Sequence, residues 1–221
     1  MGQSAELEWR DGKVPVSTRF DDPYYSLDNG LAETCHVFLD GNDLAARLCD
    51  GFHVAELGFG TGLNLLATWR LWRGTGQGGR LHFTSFEAFP VDIDDMRAAH
   101  SAFPELAEES VEILDALGSG PVVDLPDLRF EMIKGDARET LPHWPGRADA
   151  WFLDGFSPAR NPELWGADLM QAVAAHTAPG GTAATYTAAG HVRRALQAAG
   201  FEVTRRPGFG RKRHMTTARM P

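Results

Sequence analysis

The stretch HVAELGFGTGLNLLATWRLW (residues 53–72) decides the fold. HVAEL (53–57) is a short apolar run of strand length that ends in glycines, and LNLLATWRLW (63–72) has helical periodicity. Between them lies Gly58-Phe59-Gly60-Thr61-Gly62. Glycines allow a tight turn and close backbone approach to a ligand, and the helix that follows offers unpaired amides. A strand, a glycine loop and a helix in that order open an α/β nucleotide-type sheet. Loop residues Gly58, Phe59, Gly60, Thr61, Gly62 and Asn64, with Glu56 ahead of them, are therefore candidates for cofactor binding.

Outward from this stretch, strand and helix patterns alternate to the C-terminus. Strands are expected at 80–87, 128–133, 148–154, 181–187, 201–206 and 215–220. Helices are expected at 91–103, 104–117, 138–141, 162–177 and 191–200, with Pro179-Gly180-Gly181 closing the fourth. Such alternation implies a mostly parallel sheet with helices on both faces. The last two strands are joined only by PGFGRKRH, so they are expected to pair as an antiparallel hairpin. Residues 1–50 read differently. LEWRDGKVPVSTRF has strand-like pieces around Asp11-Gly12, a hairpin turn signal, and turn residues crowd the stretch after it. The expected organisation is a β-rich elaboration over 1–50 packed on an α/β domain over 51–221.

Composition narrows the function. The 221 residues are 43% hydrophobic and 23% charged, as in an ordinary globular protein, and no apolar run approaches the roughly 20 residues that span a bilayer. The N-terminus lacks a basic segment leading into an apolar one, so no secretory signal is expected. Cys35 and Cys49 are too few for a cysteine zinc site and are expected to stay free in a reducing compartment. His36, His53, His143, His176 and His191 lack ligand spacing, so no metal is expected. Net charge is −9, yet 191–215 holds Arg193, Arg194, Arg205, Arg206, Arg211, Lys212 and Arg213 against only Glu202. A basic segment on an acidic body suits one defined polyanionic partner rather than non-specific coating.

Four acids, Glu56, Glu87, Asp136 and Asp154, fall at or just past the ends of expected strands, where ligands bind in such sheets. The loop spacing is G-x-G-x-G; the dinucleotide spacing would need glycine at 63, which is Leu63. Four carboxylates repel a pyrophosphate but suit S-adenosylmethionine, which carries a sulfonium and an ammonium. On this reading Glu87 takes the ribose hydroxyls and Asp136, with Ala137, the adenine amine. Asp154, at the end of the strand in DAWFLDGFSP (149–158), faces the methyl group. Methylating an amine needs its neutral form, so Asp154 either takes the proton or aims the nitrogen at the sulfonium. Tyr24, Tyr25, Phe156 and Trp165 are candidate stacking partners for a base.

The stretches FDDPYYSLDNGLAET (20–34), AELGFGTGLN (55–64), HFTSFEAFP (82–90), DAWFLDGFSPARNPELW (149–165), TAAGHVRRALQAAGF (187–201) and PGFGRKRHM (207–215) together resemble the methyltransferase half of the MnmC family of tRNA wobble-uridine enzymes. The resemblance implies a class I, Rossmann-like S-adenosylmethionine-dependent methyltransferase. It implies methyl transfer to the aminomethyl group on C5 of uridine 34, in the anticodon stem-loop of tRNA. It places the family's catalytic aspartate on Asp154, its cofactor glycines on Gly58, Gly60 and Gly62, and its ribose-side acid on Glu87. The position after Glu87, often lysine in the family, is Ala88, which leaves any contact of that side chain without a counterpart. No flavin-dependent half, and no FAD, is expected in this chain; either another enzyme supplies the aminomethyl uridine or the chain is a fragment of a longer protein, and a cytoplasmic location is expected. Tyr25, Phe156, Arg193, Arg194, Arg211, Lys212 and Arg213 are the expected tRNA contacts. The alternatives are methylation of a polyamine or protein amine, and a non-catalytic cofactor- or RNA-binding module.

Overall fold

The computed structural model describes residues 4–10, 14–26 and 29–221. The expected Asp11-Gly12 turn lies outside the described residues. On either side of it, β1 (Leu7–Arg10) and β2 (Val14–Ser17) pair antiparallel, and β3 (Asp22–Pro23) adds to β2. The β character of the N-terminal segment stops there. Asn29 caps α1 (Gly30–Thr34) by accepting from the Ala32 amide at 2.9 Å. A π-helical turn (Cys35–Leu39) and α2 (Leu44–Arg47) follow. A β-rich reading of 1–50 is therefore corrected: the turn-forming Asn29-Gly30 pair begins a helix.

The remaining elements, in chain order, are β4 (His53–Leu57), α3 (Leu63–Gly74), β5 (Leu81–Glu87), α4 (Ile93–His100), α5 (Ala107–Leu117), β6 (Val122–Asp124), β7 (Leu128–Lys134), α6 (Ala137–Thr140), β8 (Ala148–Leu153), α7 (Ala167–Ala175), β9 (Thr177–Thr185), α8 (Gly190–Ala198), β10 (Glu202–Pro207) and β11 (His214–Arg219). One eight-stranded sheet runs β10-β11-β9-β8-β4-β5-β7-β6. The five central strands β9, β8, β4, β5 and β7 are parallel, and β11 and β10 are antiparallel, as the short connection between them requires. This is the class I methyltransferase architecture. Three departures stand out. The edge strand β6 pairs antiparallel with β7, although Val122-Val123-Asp124 is too short to carry a strand pattern of its own. The helix expected over 162–177 is split: Pro162–Trp165 is a 3-10 turn, and Gly166, with ψ 155°, is extended before α7. Pro179-Gly180-Gly181 lies inside β9, where the β8 register shifts from Ala148↔Thr177 to Ala150↔Thr182, so the triplet forms a bulge rather than a helix stop.

Alternation along β8 builds both layers. Ala150 and Phe152 face the core that contains Val54, Leu65, Trp69, Phe83 and Phe130, while Trp151 and Leu153 face the one that contains Leu57, Phe86, Trp144 and Met170. The first core also holds Val37, Phe38 and Leu44, so the helical part of the N-terminal segment is continuous with the sheet's packing. Phe38 and Phe152 lie 5.1 Å apart, centroid to centroid. Cutting either to alanine is worth about 3–5 kcal/mol in a well-packed core, which explains why this segment stays pinned beside the end of β8.

Candidate active site

After β4 the chain moves to one side of the sheet, and from β8 it moves to the other, so the crevice beyond their C-terminal ends is the topological switch point. Here the two strand ends touch. The Gly58 amide donates to Phe86 O at 2.9 Å and the Asp154 amide to Leu57 O at 3.2 Å. Gly58 has φ +88°, and a Cβ on it would sit 2.5 Å from the Asp154 carbonyl oxygen. Only glycine lets the loop leave β4 against β8 at this point.

Glu87, at the end of β5, braces the loop. Its Oε2 accepts from the Phe59 amide at 2.9 Å and the Gly60 amide at 3.0 Å, and Oε1 accepts from Phe89 at 2.8 Å. Burial pushes this carboxyl up, against the pull of those amides. The two loop amides that would cradle a phosphate are thus already held by an anion. Pyrophosphate is disfavoured by the donors as well as by the surrounding charge.

Glu56 and Asp154 are joined through one amide. Asn64 Nδ2 donates to Glu56 Oε1 at 2.8 Å and to Asp154 Oδ2 at 2.6 Å, while Asn64 Oδ1 accepts from Thr34 Oγ1 at 2.9 Å. Ser85 Oγ donates to the other Glu56 oxygen at 2.7 Å. Glu56 is fully buried beneath the loop and does not line the cavity, which corrects its assignment as a cofactor ligand. Burial drives its carboxyl well above the usual range, with Asn64 opposing. Asp154, by contrast, opens onto the cavity. Burial raises its carboxyl to about 7; Asn64 and the Lys212 charge pull it down, and Glu33 pushes it up. Thr34, Glu33 and Asn64's bridging role are additions to the expected site.

The cavity has a volume of about 730 Å³. Asp154–Ser157 and the glycine loop form its floor, with Glu87, Asp136 and Ala137 beside them. Asp136 caps α6 through the Arg138 amide at 2.9 Å, and Arg138 Nε reaches both its oxygens at 3.0 Å, which holds this carboxyl below the usual range. Its side chain is thus oriented by Arg138 while lining the cavity, and the carboxylate keeps acceptor sites beyond those that Arg138 fills. Phe156 stacks on Phe20 at 4.7 Å and meets the edge of Tyr24 at 5.1 Å, so the N-terminal strands supply one wall. Tyr25 also lines the cavity, and burial pushes its hydroxyl up to about 12. Trp165 is corrected as a stacking candidate: it is buried, and its Nε1 donates to Phe156 O at 2.9 Å.

The basic segment divides in two. Arg211 and Lys212, between β10 and β11, line the cavity, while Arg193, Arg194 and Arg213 do not. Lys212 is already paired with Glu33. Desolvation and the charges of Arg205, Arg213 and Arg193 hold His214 below its ordinary value; Arg205 and Arg213 are exposed beside it on this face, and Arg193 is half-buried. Cys35 and Cys49 are free thiols. Among the described residues no group of three His, Cys, Asp or Glu side chains is placed to hold a metal, and no helix is long and apolar enough to cross a membrane.

S-adenosylmethionine fits this donor set: its two cations suit a cavity lined by several carboxylates, no phosphate needs the loop amides, and the volume lies in the range of small-ligand sites. The comparisons agree. A family described as S-adenosyl-L-methionine-dependent methyltransferase matches residues 112–221. The "tRNA 5-methylaminomethyl-2-thiouridine biosynthesis bifunctional protein MnmC" of Caulobacter sp. (strain K31) is 49% identical over 99% of the chain and 39% of that protein. The protein of the same name from Hahella chejuensis is 43% identical over 96% of the chain and 36% of its own length. The chain therefore spans under two fifths of the length of these curated relatives. The crystal structure of MNMC2 from Aquifex aeolicus superposes with a TM-score of 0.78 at 28% identity, covering 98% of this chain and 70% of that one.

Proposed function

Because the chain belongs to the S-adenosyl-L-methionine-dependent methyltransferases, in the family it shares with the MnmC proteins, we propose that it methylates the aminomethyl nitrogen on C5 of the wobble uridine of tRNA. The observation that carries this reading is Asp154: a carboxylate on the cavity floor, raised to about 7 and aimed by Asn64. The bound cofactor supplies an electrophilic methyl group on a sulfonium. Gly58 and Gly60 would let the chain pass close to it, with Phe59, Thr61 and Ala137 as neighbours, whereas Gly62 does not line the cavity and its left-handed turn instead packs against Phe59 and Met96. Glu87, besides bracing the loop, would hold its ribose hydroxyls, and Asp136 would accept from its adenine amine.

The amine arrives as an ammonium and must lose a proton before it has a lone pair. An ordinary aspartate at about 3.9 lies some 6.5 units below an alkyl amine at about 10.4, a transfer costing about 9 kcal/mol. At about 7, Asp154 narrows that gap to roughly 3.4 units, or about 5 kcal/mol. A sulfonium beside both groups lowers both values and leaves the gap much as it was. We assign Asp154 as the proton acceptor, with its hydrogen bond to the nitrogen giving the in-line approach. The uridine must be splayed out of the loop to enter, and Phe156 and Tyr25 offer aromatic faces to it.

Purified protein incubated with labelled S-adenosylmethionine and tRNA from cells unable to make the methyl product is expected to label nucleoside 34. Nucleoside 34 left unlabelled would sink this assignment. Replacing Arg205 and Arg213 with alanine is expected to weaken tRNA binding about ten-fold. It is also expected to flatten the salt dependence of that binding by roughly 1.5 in log–log slope, with cofactor affinity unchanged. An unaltered salt slope would remove this face from the tRNA footprint.

A further inference from the structure

Lys212 is held in an unusual way for a loop lysine. Its Nζ lies 2.7 Å from Glu33 Oε1 and 4.0 Å from the centroid of the Tyr186 ring. The Glu33 side chain is only 12% exposed. Tyr186 is fixed in turn: its hydroxyl donates to Gly155 O at 2.7 Å, which ties the ring to the turn that follows Asp154. Glu33 sits next to Thr34, whose hydroxyl reaches Asp154 through Asn64. Glu33, Tyr186, Lys212 and Asp154 all line the cavity, and these contacts gather them at one corner of it. A shielded carboxylate beside an aromatic face is the chemistry that recognises an alkylammonium.

The head of a lysine is a CH₂–NH₃⁺ group. So is the aminomethyl substituent of the proposed substrate before it loses its proton. We propose that Glu33 and the Tyr186 ring form the subsite that takes the substrate's ammonium, and that Lys212 fills this subsite in the substrate-free protein as a tethered mimic. Entry of the substrate then displaces Lys212, and the loop between β10 and β11 moves with it. An amine held by Glu33 and Tyr186 stands beside Asp154, where its proton is to be removed. Lys212, once released, is a cation at the mouth of the cavity, free to meet a phosphate of the same nucleic acid. A substrate without an ammonium gains nothing from the exchange, so the subsite also selects for it. This inference rests on the aminomethyl reading above.

The test needs neither tRNA nor cofactor. Propylammonium chloride is titrated into the full chain and into its Lys212→Ala and Lys212→Gln variants, with binding followed by ligand-observed NMR and propanol as the neutral control. Both variants are expected to bind propylammonium at least about ten-fold more tightly than the parent protein, and propanol not at all. Adding Glu33→Gln to either variant is expected to abolish that gain. Equal binding in parent and variants, or a gain that survives Glu33→Gln, overturns the proposal. If the gain appears while nucleoside 34 stays unlabelled, the ammonium subsite stands and the tRNA assignment falls; if labelling succeeds without the gain, the reverse holds.

Discussion

The Asp154→Asn substitution is expected to lower kcat by about 10²–10³-fold while leaving cofactor affinity within about two-fold, the loss typical of removing a positioned proton acceptor. The amide oxygen that replaces the carboxylate can still accept from Asn64 and keep the floor of the cavity in shape, so the loss falls on chemistry rather than on the fold. Two pH measurements sharpen the expectation. In the parent enzyme the ionised carboxylate is the active form, so kcat/KM for the cofactor is expected to rise with pH through about 7, kcat through a lower value because the bound sulfonium favours the carboxylate, and both steps are expected to vanish in the variant. Stability runs the other way. Asp154 is raised from the ordinary aspartate value to about 7, so the folded chain binds more protons than the unfolded one between roughly pH 4 and 7. Its contribution to stability therefore falls as pH rises across that window. Asp154→Asn removes a buried charge, and its Tm is expected to exceed the parent's at pH 8 and to converge with it near pH 4. A variant that loses activity without gaining stability at pH 8 would mean that the carboxylate is not strained in the fold.

Gly58→Ala is expected to be among the most damaging single changes to this chain. Its φ of +88° strains any side chain, and its Cβ would also lie 2.5 Å from the backbone oxygen of Asp154. The strain alone costs about 1–2 kcal/mol. The clash is with backbone, which cannot swing aside, so the ends of β4 and β8 must separate. A total of roughly 3–5 kcal/mol lowers Tm by about 10 °C in a domain of this size. Cofactor binding is expected to fall at least ten-fold, because the loop and Asp154 move apart. Gly76→Ala is the control: φ is +65° there, but nothing lies within 4 Å of a Cβ. It is expected to show the strain without the clash, a Tm loss of about 2–4 °C, and unchanged cofactor affinity. Equal losses in the two variants would refute the argument from contact.

The placement of the four acids at strand ends was legible because its signals are local. Strand periodicity, glycines and the turn after Asp154 all lie within a few residues of the carboxylates they position. What each acid does was not legible. Glu56 and Asp154 end neighbouring strands in similar sequence settings, yet Glu56 lies wholly beneath the glycine loop while Asp154 opens onto the cavity. That difference arises from packing across the sheet. Likewise Thr34 finds Asn64 from 30 residues away, and Lys212 finds Glu33 from 179. No periodicity encodes such pairs. Trp165 misled for a related reason: an aromatic near a catalytic turn suggests stacking, but the 3-10 turn rotates it inward to hold Phe156 O.

The position of β11 has a consequence for how this protein is made. β11 follows β10 in the chain but lies between β10 and β9 in the sheet, so β10 has no partner until β11 has emerged. The loop between them carries Lys212 across to Glu33, so the roof of the cavity closes with the same docking step. During vectorial synthesis the central parallel strands can assemble around a methyl-donor crevice that is still open at the top. Contacts of such long sequence separation form late, after their loop-closure entropy has been met. Closure of the cavity thus waits on the pairing of β11, and a chain cut before β11 leaves the crevice beyond β4 and β8 open.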